Sequence, residues 1–221
     1  MTKNELGIQA MQEGKFEEAA KYFTEAIDEN PREPVFYVNF GNLLAALNEN
    51  ERAIRFYEKA IELNETTATA YYGLGTVYYN QNNVQKAKDY FEKAMKHGLK
   101  HGDLFFMLGM CLNHLDQPRL ALPYFQRAVE LNEDDIEAMF QYGLSLAQSG
   151  LMEEAKKQFQ LVIQLDENHS DAYYNLGVAY AYEEKTEKAH EMFEKALNIQ
   201  PDHLLAGHAK KLIEEAKKQQ P

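Results

Sequence analysis

The chain has 221 residues, enough for one elongated domain or at most two small ones. Hydrophobic residues make up 45% and charged residues 26%, a globular balance that excludes wholesale disorder. Lys and Arg total 23 against 35 Asp and Glu, and a formal net charge of -12 argues against nucleic-acid and membrane partners, whose phosphates it repels.

In chain order, the opening stretch Met1-Thr2-Lys3-Asn4-Glu5-Leu6-Gly7 has no apolar signal core, and no later run reaches the length of a membrane span. Cys111 is the one cysteine, so no internal disulfide can form. A soluble cytoplasmic protein is the expectation.

Leu6-Gly7 is also the first mark of a period. Phe40-Gly41, Leu74-Gly75, Leu108-Gly109, Tyr142-Gly143 and Leu176-Gly177 follow at intervals of 34 residues. An alanine lies 12 residues after each glycine, at Ala19, Ala53, Ala87, Ala121, Ala155 and Ala189. Four further on stands an aromatic, at Phe23, Tyr57, Phe91, Phe125, Phe159 and Phe193. Ala26, Ala60, Ala94, Ala128, Val162 and Ala196 complete the pattern. The register is unbroken from Met1 to His203, giving repeats 1–33, 34–67, 68–101, 102–135, 136–169 and 170–203.

Within a repeat, positions 4, 7, 8 and 11 are apolar or small, and so are positions 20, 24, 27 and 28. Each set forms one stripe on a helix, and Asn48, Asn82, Asp116 and Gly150 mark turns between the two. Every repeat therefore reads as a helical hairpin. Its glycine and alanine columns let the two helices approach closely while the aromatic fills the volume beside them. One hairpin cannot bury its apolar faces alone, so neighbours must stack.

This 34-residue period, with its Leu-Gly, Tyr, Ala, Phe, Ala and Pro columns, resembles the tetratricopeptide repeat (TPR) over residues 1–203, and repeat six, from Ala172 to Pro201, is close to the family consensus. The resemblance implies an all-α, right-handed superhelical solenoid of six TPR hairpins whose first helices line a concave groove. The Pro column holds only Pro31 and Pro201; Glu65, Leu99, Glu133 and Glu167 stand in the other repeats, which points to more continuous helices between repeats. In repeat four, Pro118 falls harmlessly in a first helical turn, whereas Pro123 should remove one intrahelical hydrogen bond and kink the outer helix. After His203 the period breaks. Leu205, Ala209, Leu212, Ile213 and Ala216 make one apolar stripe, so residues 204–221 read as a C-terminal capping helix with a short tail.

Signals for chemistry are weak. Gly73-x-Gly75 lacks the third glycine and the preceding strand of a dinucleotide fingerprint. His97 and His101 have metal-pair spacing but lie around an inter-hairpin loop with Gly98 and Gly102, with no carboxylate or thiol cluster to complete a site, and Glu187-x-x-His190 occurs once where a di-metal site needs two. Cys111 sits in a column of mixed, partly small residues and reads as a packed thiol. No enzyme, no metal site and no cofactor is expected.

The remaining signal lies on the other side of each first helix, at positions 2, 5, 9, 12 and 13. Facing only water, these should be polar. Position 5 instead carries Tyr72, Phe106, Phe140 and Tyr174 in repeats three to six. Position 9 carries Thr76, Met110, Leu144 and Val178, and position 12 adds Tyr79 and Asn113. The position-5 aromatics either pack sideways on the next repeat or stay open, and position 9 has less reason to be covered. Position 2 carries Asp103, Glu137 and Asp171, an acidic rail that also suits helix N-termini. The resulting expectation is a non-catalytic adaptor or scaffold that grips a protein or peptide with apolar anchors and basic flanks. Some family members clamp a peptide carboxylate; the matching positions here, Asn4, Ile8, Asn39, Thr69 and Gly73, retain at most one suitable asparagine. The alternative is a homo-oligomer formed through the groove or the terminal helix.

Overall fold

The computed structural model describes residues 1–219, with side chains through Lys217. Thirteen α-helices and no strand occur among the described residues. The chain divides into two compact units, Met1–Leu115 and Asp116–Pro221, and the division falls inside the stretch 102–135 that the sequence presents as one repeat. In the first unit α1 (Lys3–Gln12) pairs with α2 (Phe16–Glu29), α3 (Pro34–Ala46) with α4 (Asn50–Leu63), and α5 (Ala68–Asn80) with α6 (Val84–Lys96). Helix α7 (Gly102–His114) lies against α6. In the second unit α8 (Pro118–Leu131) lies against α9 (Ile136–Gln148), which pairs with α10 (Met152–Leu165). Helix α11 (Ser170–Tyr182) pairs with α12 (Thr186–Ile199), and α13 (Leu204–Gln219) rests on α12.

One turn design recurs ahead of each even-numbered helix. A single residue takes a left-handed backbone: Gly14, Asn48, Asn82, Asp116, Gly150 and Glu184, with φ from 59° to 84°. In five of these turns the following N–H then reaches back five residues, as in Lys15 to Ala10 and Asn83 to Tyr78 at 2.8 Å, or Leu151 to Leu146 and Lys185 to Tyr180 at 2.9 Å. These bonds satisfy carbonyls that the end of the first helix leaves orphaned. Glycine, asparagine and aspartate tolerate that backbone; Glu184, with φ of 59°, is the strained member.

The expected continuity between repeats is not found. Helix α4 stops at Leu63 and α10 at Leu165 although neither is followed by the column proline. Side-chain turns do the stopping instead. Asn64 Oδ1 accepts from the Thr66 N–H at 3.0 Å and the Thr66 hydroxyl at 2.8 Å, and Asp166 Oδ1 accepts from the Asn168 N–H at 2.9 Å. Pro123 is contained within α8, which runs unbroken from Pro118 to Leu131.

The core is built on the glycine and aromatic columns. A methyl group placed on Gly41 would fall 2.7 Å from Tyr57, on Gly75 2.6 Å from Phe91, on Gly143 2.8 Å from Phe159, and on Gly177 2.6 Å from Phe193. Each aromatic ring therefore lies close against bare helix backbone. Gly73, which looked like half of a nucleotide fingerprint, leaves room for the Tyr57 ring from the preceding repeat. Tyr57 is otherwise a buried member of the phenylalanine column, and its hydroxyl donates to Asn42 Oδ1 at 2.8 Å. Cys111 is fully buried, and desolvation pushes its thiol pKa up to about 12, so it is protonated and inert at neutral pH.

Helix α13 caps the last hairpin with only part of the stripe read in sequence. Ala206 is fully buried and Ile213 half-buried, whereas Leu205 and Leu212 are 59% and 53% exposed. Ion pairs fasten the helix: Lys210 to Glu194 at 2.9 Å, His190 to Glu214 at 3.4 Å and Lys217 to Glu187 at 2.9 Å. Residues 220 and 221, the end of the expected tail, lie outside the described residues.

Gly177→Ala should destabilise the protein by about 1–3 kcal/mol, the usual cost of forcing a methyl into a filled core, read from the midpoint of a urea transition. Glu184→Gly should do the reverse by about 1 kcal/mol, since it relieves a left-handed glutamate. Equal midpoints for the wild type and either variant would contradict the turn and core assignments.

Candidate functional site

In the first unit, Tyr72 and Thr76 on α5 and Phe106 and Met110 on α7 are half-buried. The Tyr72 ring packs 5.4 Å from Phe91, and burial, with Asp103 nearby, raises its phenol pKa. Its carbonyl accepts from the Thr76 hydroxyl at 3.1 Å. Tyr79 stacks on His114 with ring centroids 5.4 Å apart. Asn113 turns a buried side-chain oxygen inward, where it finds no hydrogen-bond partner. Asp103 is exposed at the start of α7 and pairs with His101 at 3.2 Å. Among the clamp-like positions, Asn39 donates to Asn4 Oδ1 at 2.9 Å, so these two amides hold each other. A cleft of about 310 Å³ opens beside them, lined by Ile8, Met11, Asn39 and Asn42.

In the second unit the position-5 aromatics prove to be packing residues first. Phe140 is only 8% exposed, its ring 5.9 Å from Phe159 and 4.6 Å from His169, so the open reading fails for this side chain. Tyr174 is half-buried between Phe193 at 5.8 Å and His203 at 5.2 Å. The covering groups are the aromatic of the same hairpin and the histidine that starts the next helix.

Those histidines are placed by their own hydrogen bonds. His169 Nδ1 accepts from the Ala172 N–H at 3.2 Å, and His203 Nδ1 accepts from the Ala206 N–H at 3.2 Å, each capping a helix. With Nδ1 accepting, the Nε2–H of His203 donates to Asp171 Oδ1 at 3.1 Å. Sequence reading treated the seven histidines as scattered, yet His101, His169 and His203 share the last position of their repeats. That column was the available signal.

What stays uncovered in the second unit is position 9 and the end of α11. Leu144 is half-buried and Val178 is 38% exposed. Tyr182 at position 13 is 76% exposed and was not singled out in the sequence. The acids of position 2 flank this strip: Glu137 accepts from Gln141 at 2.9 Å, and Asp171 keeps a side-chain exposure of 59% beside His203. Next to Tyr182 in sequence, Glu183 is held by Lys156 and, at 2.7 Å, by Lys185. Hydrogen bonds from these two lysines depress the Glu183 carboxyl to about 2 from an ordinary 4.5.

Among the described residues no group of three or more His, Cys, Asp or Glu side chains is arranged to hold a metal ion. No described helix is long and apolar enough to cross a membrane. A cleft of about 690 Å³ lies away from the first-helix faces, lined by Gly14, Lys15, Phe16 and Leu47 among others.

A depressed carboxylate stabilises the fold above its unfolded pKa and loses that effect as pH falls toward its folded one. Glu183→Gln should therefore flatten the acid limb of a stability–pH curve between about 4.5 and 2, with little change in the shape of the curve at neutral pH. Superimposable acid limbs in thermal melts of the two proteins would contradict the ion-pair assignment.

Family models described as TPR or tetratricopeptide repeat match residues 10–61, 41–82, 66–134, 114–170 and 170–203. The solved structure of YrrB, described as a TPR protein with an unusual peptide-binding site, superimposes with a TM-score of 0.82 at 57% identity, covering 87% of this chain and 99% of that one. Among curated proteins, the TPR repeat-containing protein YrrB of Bacillus subtilis is 57% identical over 41 residues, 19% of this chain and 20% of that protein. The Hsp70-Hsp90 organising protein of Plasmodium falciparum is 49% identical over 43 residues, 20% of this chain and 17% of that protein. These matched segments span about a fifth of the curated relatives' length. A structure of Pseudomonas aeruginosa pilF shares the fold at 17% identity and a TM-score of 0.81, covering 95% of this chain and 96% of that one.

Proposed function

The chain belongs to the tetratricopeptide repeat family, and we propose that it is a non-catalytic interaction module that holds a polypeptide segment against its first helices. The observation that carries this reading is the incomplete covering of position 9. Val178 is 38% exposed while its helix neighbours Leu176 and Ala179 are sealed at 4% and 0%. Met110 and Leu144 keep part of their surface in the same register. Within each unit, apolar side chains left part-open beside sealed neighbours suit anchors of a partner chain.

The ligand we infer is apolar at its anchors and basic at its flanks, because Asp103, Glu137 and Asp171 are the charged residues of position 2 in repeats four to six. In this reading Tyr72, Tyr79, Phe106, Asn113 and Tyr174 shape the wall, Thr76 lies level with the anchors, and Phe140 supports from behind. The peptide-binding site described for YrrB is a property of that protein; it supports the same class of activity here. Self-association is the rival reading, favoured by the exposed Leu204 and Leu205 at the start of α13.

Panning a random peptide library displayed on phage against the protein tests the proposal. Enriched peptides should combine apolar with Lys or Arg residues, and Met110→Gln/Val178→Asn should lose about tenfold or more in affinity for them at unchanged helicity. Acidic consensus peptides, or affinity indifferent to both substitutions, would refute it. A concentration-dependent doubling of mass in light scattering would favour self-association instead.

A further inference from the structure

The period does not end at His203. Helix α13 starts one residue later, where a seventh repeat would begin, so its residues from Leu204 to Ala216 have counterparts 34 positions earlier on α11. The packing obeys that register. Ala206, Lys210, Ile213 and Lys217 sit at positions 3, 7, 10 and 14 and carry the contacts of α13, buried or ion-paired to α12. Lys211 and Glu214, at positions 8 and 11, are charged where earlier repeats turn small or apolar residues to their second helix. Glu214 instead meets His190 of α12 at 3.4 Å, and Lys211 is exposed.

The same register brings Leu205 into the place of Asp171 and Leu212 into the place of Val178. Both leucines are exposed, at 59% and 53%, and His208, Glu215 and Ala216 at positions 5, 12 and 13 are exposed with them. The bond from His203 to Asp171 at 3.1 Å, and the Tyr174 ring 5.2 Å from His203, set the start of α13 beside the start of α11. In the repeat register, position 9 thus carries an apolar side chain on each of α9, α11 and α13, namely Leu144, Val178 and Leu212, and Tyr182 lies one turn beyond Val178 on α11.

We propose that α13 is the third wall of a binding surface for a cationic, extended polypeptide, in addition to being a cap. The proposal rests on the groove reading above and deepens it by adding residues and a ligand chemistry. Charge supplies the occupant. At positions 2, 5, 9, 12 and 13 of α9, α11 and α13 the charged residues are Glu137, Asp171 and Glu215, with no Lys or Arg. Glu215 is partly neutralised by Lys211 at 3.8 Å, which leaves the negative end of the surface at Glu137 and Asp171. Packed helix axes lie about 8–10 Å apart, and a chain in the extended polyproline-II form turns once in three residues with a rise of about 3.1 Å each, so every third side chain of the ligand meets the row.

The probe is a fluorescein-labelled peptide of about twelve residues with leucine at every third position and lysine and serine between; a second peptide carries glutamate for lysine. Fluorescence anisotropy is measured with wild type, Val178→Asn and Leu205→Gln/Leu212→Gln, with circular dichroism confirming that α13 is retained. The proposal expects each variant to bind the lysine peptide about tenfold more weakly, and the glutamate peptide to bind more weakly than the lysine peptide throughout. Loss with Val178→Asn alone would overturn the role of α13 while leaving the groove reading in place. Loss with neither would overturn both. Equal binding of the two peptides would overturn the cationic ligand, and a dimer that dissociates on Leu205→Gln/Leu212→Gln would show that a second copy is the occupant.

Discussion

The structure depends on an aromatic ring lying against a helix that has no side chain to push it away. Phe23, Phe91, Phe159 and Phe193 each sit where a single methyl on the facing glycine would overlap the ring. Close approach makes the hairpin rigid, and rigidity is what lets repeats stack in one register. It also decides orientation. Once the glycine face of a first helix is committed to the aromatic, the opposite face is turned away from the hairpin, and positions 2, 9 and 13 are presented to whatever comes next.

Presentation is then adjusted by the residues at the repeat ends. His169 and His203 cap the following helices through Nδ1 and lay their rings over Phe140 and Tyr174. The caps explain why position 5 is largely covered while position 9, a full turn further along the helix, is not. A solvated acid at position 2 and an uncovered aliphatic group at position 9 are what remain, and both point to a partner that supplies apolar contact together with positive charge.

Most of the fold was legible in the sequence because a 34-residue period repeats the same steric solution without interruption, and the glycine–aromatic pairs name the contacting faces directly. The site was less legible. Whether Phe140 is open depends on His169, 29 residues away, and helix periodicity is blind to a ring arriving from the next repeat. Helix stops at Asn64 and Asp166 come from side-chain turns that substitute for the missing prolines, so a proline-based reading misplaced them. The exposed leucines of α13 were read as core because an apolar stripe on an isolated helix does not say which edge meets a neighbour; comparison with residues 34 positions earlier does.

The central claim is that the faces of the first helices, and not the second helices, receive a polypeptide. Methyl-selective NMR during titration with a lysine–leucine peptide tests it most directly. The account predicts shifts confined to Met110, Leu144, Val178 and Leu212, with Leu120 and Leu161, exposed on second helices at 59% and 42%, unmoved. Shifts concentrated on Leu120 and Leu161, with the first-helix methyls silent, would contradict it.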